Sequence, residues 1–142
     1  MNYYPSNKDI SGLKTEADVE DFIRKWCTDE VSFHEALNQE VAAKGITLPD
    51  LMEKSRINRN YGYNIVNGRR TNPGRDKVIA LCIASGLSVE ETQNLLSVAK
   101  VGGLYYRRER DIRIASCLNN GIRDVLDVNI LLESHDLEPL DV

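Results

Sequence analysis

Apolar residues recur every three or four positions along most of the chain, and this period predicts helices rather than strands. The first run follows a Thr15–Asp18 capping pair and predicts an amphipathic helix over about 15–27. Its apolar residues are Val19, Phe22, Ile23 and Trp26. We expect this stripe to lie in the core, with docking on a second subunit as the alternative. The preceding residues, MNYYPSNKDI, show no period, and we expect them to form an arm.

Capping residues then divide the next segment into three helices. Ser32 begins a helix that is expected to end at Lys44. Two short helices follow, over about 48–55 and 59–66, and each comes directly after a residue that can cap it. Two short helices joined by only three residues are typical of a helix-turn-helix.

Beyond Pro73 the pattern predicts four more helices and no strand, over about 75–85, 89–100, 108–120 and 123–134. These helices contain an internal repeat with a gapless offset of 35 residues. The segment RDKVIALCIASGLSVEETQNLLS aligns with RDIRIASCLNNGIRDVLDVNILL, and the alignment matches Cys82 with Cys117. Because both cysteines lie on an apolar stripe, we expect small buried hydrophobes rather than reactive thiols. The second hairpin is expected to stack on the first and extend its core.

The composition changes this picture little. With 142 residues, 42% hydrophobic and 28% charged, the chain is typical of a soluble globular protein with one domain or one small domain with helical additions. It has no apolar run long enough for a membrane span and no signal peptide, so we expect no membrane association and a cytoplasmic location.

Candidate chemistry is sparse. The three cysteines are widely separated, and His34 and His135 belong to no metal-binding motif, so we expect no metal site. Carboxylates such as Glu91 and Asp124 are expected on solvated helix faces. Because the sequence contains no catalytic constellation and no glycine-rich phosphate loop, we expect neither an enzyme nor a cofactor.

Charge is unevenly distributed. The chain has a formal net charge of -4, yet residues 58–70, NRNYGYNIVNGRR, contain three arginines and no acid. Residues 54–77 contain seven basic residues and one acid, a local charge of +6, which leaves -10 for the remainder. Such segregation favours a local anionic partner, because the field of a charge decays within about 8 Å at physiological salt. A solvated basic face is the alternative.

The stretch from Phe33 to Ala99 resembles the XRE-like family, the Cro and phage-repressor type of helix-turn-helix. The matching segments are KGITLPDLMEKS, INRNYGYNIVNGRRTNP and RDKVIALCIASGLSVEET. Family members share a five-helix order and a helix-ending Asn-Gly followed by basic residues and a proline. The resemblance implies a bacterial transcriptional regulator whose second motif helix enters the major groove of double-stranded DNA.

The resemblance also implies site residues. By position, the family's base-reading side chains fall on Arg59, Asn60, Tyr63 and Asn64. These residue types fit direct readout, because arginine can make two hydrogen bonds to guanine and asparagine two to adenine. The implied phosphate contacts are Asn67, Arg69, Arg70 and Arg75. We expect Ile57 and Ile65 to face the core and Tyr61 to pack rather than read bases.

The sequence departs from the family pattern at several positions. Leu48 replaces a glutamine that often opens the first motif helix, and Asn38 and Ala42 replace arginines of the preceding helix. Gly62 lies inside the second motif helix, where it weakens helix propensity by about 1 kcal/mol and suggests close approach to another backbone. Arg56 replaces the glycine that is usual in the turn.

The sequence therefore predicts an all-α protein: a five-helix repressor-type helix-turn-helix bundle with an extra N-terminal helix and a C-terminal hairpin that repeats the bundle's last hairpin. The expected divisions are an arm and helix over 1–31, the bundle over 32–104 and the hairpin over 105–142. The predicted function is sequence-specific binding of double-stranded DNA. The alternative is a helical adaptor that binds another protein, and a homodimer stays open.

Overall fold

A computed structural model of the chain describes residues 3–27 and 30–142. Within these ranges the chain forms nine α-helices and no strand, which confirms the all-α prediction. In chain order the helices are α1 (Asn7–Ser11), α2 (Glu16–Trp26), α3 (Phe33–Ala43), α4 (Leu48–Ser55), α5 (Arg59–Val66), α6 (Arg75–Ala84), α7 (Val89–Val98), α8 (Glu109–Asn119) and α9 (Val125–Ser134). In this part of the chain, no helix combines the length and apolar content that a membrane crossing requires.

Local capping sets most of the helix starts. Seven of the nine helices begin after a Ser, Thr, Asn or Asp whose side chain accepts a hydrogen bond from a first-turn N–H. The expected arm contains a short helix, α1, because Ser6 and Asp9 form a reciprocal capping box. The Tyr3 hydroxyl donates to Gln39 Oε1 over 2.9 Å and so attaches this segment to α3.

One hydrophobic core contains residues from α3 to α9 and from the segment after α9. Its centre is α6, in which seven consecutive residues from Val78 to Ala84 have no exposed surface. A helix that is apolar on all sides must be surrounded by other elements, and α4, α7 and α9 all pack against α6. Residues of the predicted bundle and of the C-terminal hairpin therefore fold around the same helix.

The predicted core position of the α2 stripe is wrong. No residue of α2 is buried, and Ile23 is 44% exposed. Phe22 and Trp26 contact each other with ring centroids 6.3 Å apart, and both are only half-buried. The period of the stripe identified the apolar face of α2, but the core is filled by the later helices.

The hairpins α6–α7 and α8–α9 are structural repeats, and their first helices match at the predicted offset. Gly86 and Gly121 end α6 and α8 with φ of 69° and 71°, a conformation that suits glycine. In each copy the next N–H bonds back to the matched cysteine: Leu87 to the Cys82 carbonyl over 3.2 Å, and Ile122 to the Cys117 carbonyl over 3.1 Å.

The second helices match at an offset of 36, so the gapless alignment is wrong beyond Ile122. The caps Ser88 and Asp124 are equivalent, which leaves Arg123 as an extra residue in the second copy. The partner of Asn129 is therefore Gln93. The side-chain oxygens of these two residues accept the N–H groups of Leu140 and Leu104, each over 2.7 Å. The gapless alignment instead matched Asn129 with the identical residue Asn94. The inserted residue rotates the helix by about 100°, so the two asparagines do not occupy equivalent positions.

Reciprocal ion pairs join the two hairpins. Arg75 binds Asp111 over 2.8 Å, and Arg110 binds Asp76 over 2.9 Å. The dipeptide Arg-Asp occurs in both copies. The arginine of each copy pairs with the aspartate of the other. Asp111 has no exposed surface and also accepts the Tyr105 N–H over 2.8 Å. The Asp141 N–H makes the equivalent bond to Asp76 over 3.0 Å.

The extra residue Arg123 makes a further attachment between the hairpin and the bundle. Its guanidinium donates to the Ala84 carbonyl at the end of α6 and pairs with Asp50 in the first turn of α4. Arg123, the residue that shifts the repeat register, therefore also connects the start of α9 to α4 through an ion pair.

The prediction for the repeated cysteines is confirmed. Cys82 is completely buried and Cys117 is 1% exposed, whereas Cys27 is exposed. Burial raises the pKa of the Cys82 thiol to about 12 and also raises the pKa of Cys117, because a thiolate loses hydration in the core. Both thiols are therefore unreactive in the folded protein.

Thiol labelling checks this packing, with Cys27 as the internal control. In the native protein we expect a thiol reagent to modify Cys27 rapidly and Cys82 and Cys117 only at the rate of unfolding. Cys117→Asp should lower the free energy of unfolding by at least about 3 kcal/mol, because it buries an unpaired charge. Cys117→Ala should lower it much less. Rapid labelling of native Cys117, located by mass spectrometry, would contradict the packed interface.

Glu91 predicts an acid dependence of stability. Its carboxylate accepts the Ser88 N–H over 2.8 Å and pairs with Lys44 over 3.1 Å, so it does not lie on a freely solvated face as expected. Burial alone would raise the pKa of Glu91, but the bonds to Ser88 and Lys44 outweigh burial and lower the pKa to about 2. A depressed folded-state pKa stabilises the fold above the unfolded value and loses that contribution as pH falls.

We therefore expect the free energy of unfolding to fall as pH decreases from about 4.5 to about 2, in part through Glu91. In Glu91→Gln this decline should be shallower, because the variant has no carboxylate to protonate. Urea unfolding across this pH range measures both curves. Parallel curves for the two proteins would show that Glu91 contributes nothing to acid sensitivity.

Candidate nucleic-acid interface

Helices α4 and α5 contact each other and are connected by Arg56, Ile57 and Asn58. Thr47 caps α4 and Asn58 caps α5 through side-chain oxygens that accept first-turn N–H groups. In the turn, Arg56 has φ of 61°, the left-handed conformation that favours glycine. Arg56 stands where the XRE-like pattern usually has glycine. The backbone at this position nevertheless has the conformation that glycine adopts most easily.

The ion pair of Arg56 helps to hold this conformation. Its guanidinium donates two hydrogen bonds to the Asp124 carboxylate, over 2.9 Å and 2.7 Å. Asp124 also caps α9. The Arg56 bonds lower the pKa of Asp124, because a guanidinium favours the ionised carboxylate. The turn is thus attached to the C-terminal hairpin.

The inward face of α5 is tightly packed. Ile65 is completely buried, and Ile57 just before the helix is 4% exposed, as expected. Gly62 is also buried, and a Cβ at this position would collide with the Met52 side chain of α4. The expected close approach at Gly62 is therefore real, but the neighbour is a side chain rather than another backbone.

The outward face of α5 carries the predicted base-reading residues. Arg59 and Asn60 are exposed, whereas Tyr63 and Asn64 are half-buried, with Tyr63 packed against the edge of the core. Their spacing of i, i+1, i+4 and i+5 puts all four on one side of the helix. The structure therefore brings the four residues together on a single surface.

The loop after α5 has a defined backbone. Asn67 Oδ1 accepts the Arg69 N–H over 3.0 Å, and the Asn64 carbonyl accepts the Arg70 N–H over 2.9 Å. Asn38, which replaces an arginine of the family pattern, donates to the Val66 carbonyl over 3.0 Å. Its role in this chain is to fix the end of α5 against α3.

Tyr61 supports two cations beside the helix. The Arg70 guanidinium lies 4.4 Å from the centre of the Tyr61 ring, and Lys77 Nζ of α6 lies 5.2 Å from it. Such contacts orient a cation over the ring while leaving its outer side accessible. Tyr61 is thus a packing residue, as expected. A shallow depression of about 560 Å³ is lined by Asn58, Tyr61, Asn64, Arg69 and Arg70.

The basic residues of 54–77 fall into two groups. Lys54 and Arg56 lie beside Asp124, at 4.0 Å and 2.7 Å, and Arg75 pairs with Asp111. The other four form no ion pair with any residue that the structure describes: Arg59, Arg69, Arg70 and Lys77. The first three belong to NRNYGYNIVNGRR. The arginines of that segment therefore leave their charge available to a partner.

Arg75 differs from the other predicted phosphate contacts. Its guanidinium donates to the carbonyls of Gly102 and Gly103 over 2.8 Å and 2.9 Å and binds buried Asp111. These internal bonds engage its guanidinium, so Arg75 is not part of the candidate interface. The sequence duplicates the dipeptide Arg-Asp, but only the packing of the two hairpins shows that the arginine of one copy meets the aspartate of the other.

The helix dipole adds to the positive potential. The first turn of α5, from Arg59 to Tyr61, contains no acidic residue, so the partial positive charge of its N–H groups is unopposed. Among residues 3–27 and 30–142, no three His, Cys, Asp or Glu side chains form a cluster that could hold a metal ion. The surface is suited to an extended anion with polar edges.

Comparison with known proteins adds no assignment. No family model matches the chain, and searches of curated proteins and of solved structures returned no match.

Proposed function

We propose that this chain is a sequence-specific regulator that binds double-stranded DNA, with α4 and α5 as a helix-turn-helix and α5 in the major groove. The observation that carries the proposal is the division of the basic residues. Arg59, Arg69 and Arg70 form no ion pair with a described residue, although the chain outside residues 54–77 has a net charge of -10. The resemblance to the XRE-like family is a separate support.

In this proposal the exposed end of α5 reads bases. Arg59 and Asn60 would reach furthest, and Asn64 would follow one turn later on the same side. Arginine and asparagine can each make paired hydrogen bonds to one base edge, to guanine and to adenine respectively. Tyr63 is packed more deeply and would contribute a contact at the margin of the groove.

The loop after α5 would hold the phosphate backbone. Arg69 and Arg70 can each donate to a phosphate oxygen, and the Asn67 bond to the Arg69 N–H fixes the loop that carries them. Arg70 is additionally oriented by the Tyr61 ring. Phosphate contacts supply affinity and register rather than sequence preference.

The adaptor alternative is favoured by exposed apolar side chains away from α5. Ile23 on α2 is 44% exposed, and Leu126 and Ile130, one turn apart on α9, are 48% and 59% exposed. Apolar residues that recur on one helix face are typical of protein–protein contacts. A DNA-binding chain can also use such a surface to form a homodimer.

The phosphate role predicts a uniform loss of affinity in Arg69→Ala/Arg70→Ala. Binding to DNA of any sequence should weaken, and the slope of log K against log salt should become shallower by about 0.9 for each lost contact. Fluorescence anisotropy over a salt series measures both quantities. Unchanged affinity in a folded variant would count against DNA binding through this loop.

The base-reading role predicts a different result for Arg59→Ala. This change should weaken binding to the preferred site by about 1 to 3 kcal/mol and relax the choice of one base pair, with little effect on non-specific binding. Selection of bound fragments from random DNA compares the motifs of the two proteins. Recovery of the same motif with the same information content would remove Arg59 from the reading surface and favour the adaptor.

A further inference from the structure

We propose that residues 105–108, Tyr-Tyr-Arg-Arg in the loop between α7 and α8, form a second contact with the phosphate backbone of the same DNA duplex. This inference rests on the proposed function, because it extends the surface of α5 and its following loop. We call residues 105–108 the YYRR loop.

The YYRR loop exposes two aromatic and two cationic side chains in succession. Tyr105 and Tyr106 are 54% and 57% exposed. Arg107 is exposed and forms no ion pair with a described residue. The Arg108 side chain is 62% exposed and makes a long ion pair of 4.0 Å with Asp111, whose closer partner is Arg75 at 2.8 Å.

The loop presents these side chains on a fixed backbone. Leu104 is buried and its N–H donates to Gln93 Oε1 over 2.7 Å, while the Tyr105 N–H donates to Asp111 over 2.8 Å. Gln93 Nε2 donates to the Tyr106 hydroxyl oxygen over 3.0 Å, which leaves the hydroxyl proton for an external acceptor. A preorganised surface loses little conformational entropy when it binds.

Arg75 links the YYRR loop to the segment that follows α5. This residue begins α6, five positions after Arg70, and holds the carbonyls of Gly102 and Gly103. One depression is lined both by Thr71 and Asn72, which follow Arg70, and by Val98, Ala99 and Lys100, which precede the loop. The segment after α5 and the segment before the YYRR loop are therefore neighbours.

The chemistry of the loop suits phosphate. Guanidinium groups and tyrosine hydroxyls are both common donors to phosphate oxygens in DNA complexes. An acidic protein surface could attract the same cations, but the attachment of Gly102 and Gly103 to Arg75, five residues after Arg70, favours a polyanion that spans both segments. The role of Arg75 is then to position the second contact, not to touch DNA itself.

The test is the salt dependence of binding by Arg107→Ala/Arg108→Ala on a mixed-sequence DNA duplex. Two lost phosphate contacts should make the slope of log K against log salt shallower by about 1.8. Between about 50 and 200 mM salt, the variant should therefore lose roughly tenfold less affinity than the wild type. Circular dichroism and the unfolding midpoint establish that the variant is folded.

Arg24→Ala/Lys25→Ala is the matched control, because it removes the same formal charge from α2, which contributes nothing to the core. This control should keep the wild-type slope. An equal reduction in the control would overturn the inference, because net charge rather than a local contact would then explain the result.

The Arg69→Ala/Arg70→Ala variant separates failure of this inference from failure of the proposed function. A shallower slope for that variant, together with a wild-type slope for Arg107→Ala/Arg108→Ala, would overturn the second contact and leave DNA binding through α5 intact. Failure of the wild-type protein to bind the duplex would overturn both. Loss of slope in both variants, with the control unchanged, is the result we expect.

Discussion

Pairing of the buried Asp111 carboxylate with the Arg75 guanidinium is the interaction on which the arrangement of the two hairpins depends. Asp111 has no exposed surface, and a carboxylate removed from water is tolerated only when cations and N–H donors compensate the lost hydration. Arg75 and the Tyr105 N–H supply those partners. The same contacts position the loop between α7 and α8, and the matched pair of Arg110 and Asp76 positions the segment after α9.

The C-terminal hairpin also bears on the candidate interface. Asp124 binds Arg56 in the turn between α4 and α5, and Arg123 binds Asp50 at the start of α4. The turn adopts a left-handed backbone that is unfavourable for arginine, so the contacts of Arg56 help to stabilise it. The hairpin is thus connected to both ends of α4, the helix against which Gly62 of α5 packs.

The arginines of this acidic chain fall into two groups. Some form ion pairs within the fold, and others have no carboxylate partner among the described residues. Arg56 and Arg75 neutralise carboxylates of the hairpin, and these bonds join segments distant in sequence. Arg59 on α5 and Arg69 and Arg70 just after it have no carboxylate partner within residues 3–27 and 30–142. On an acidic protein, repulsion opposes contact of a polyanion with most of the surface. A positive region is therefore the place where a polyanion can bind.

Local patterns in the sequence were sufficient for α2 to α9, the buried cysteines and the outward face of α5. Caps and apolar periods act over three to seven residues, so α4 and α5 have the predicted bounds. The same patterns could not assign partners. The apolar period of α2 did not indicate that the core would form without this helix. The gapless alignment did not detect Arg123 as an extra residue. Only the tertiary structure decided that Arg75 binds Asp111 while Arg69 and Arg70 stay available, because long-range ion pairs depend on which helices pack together.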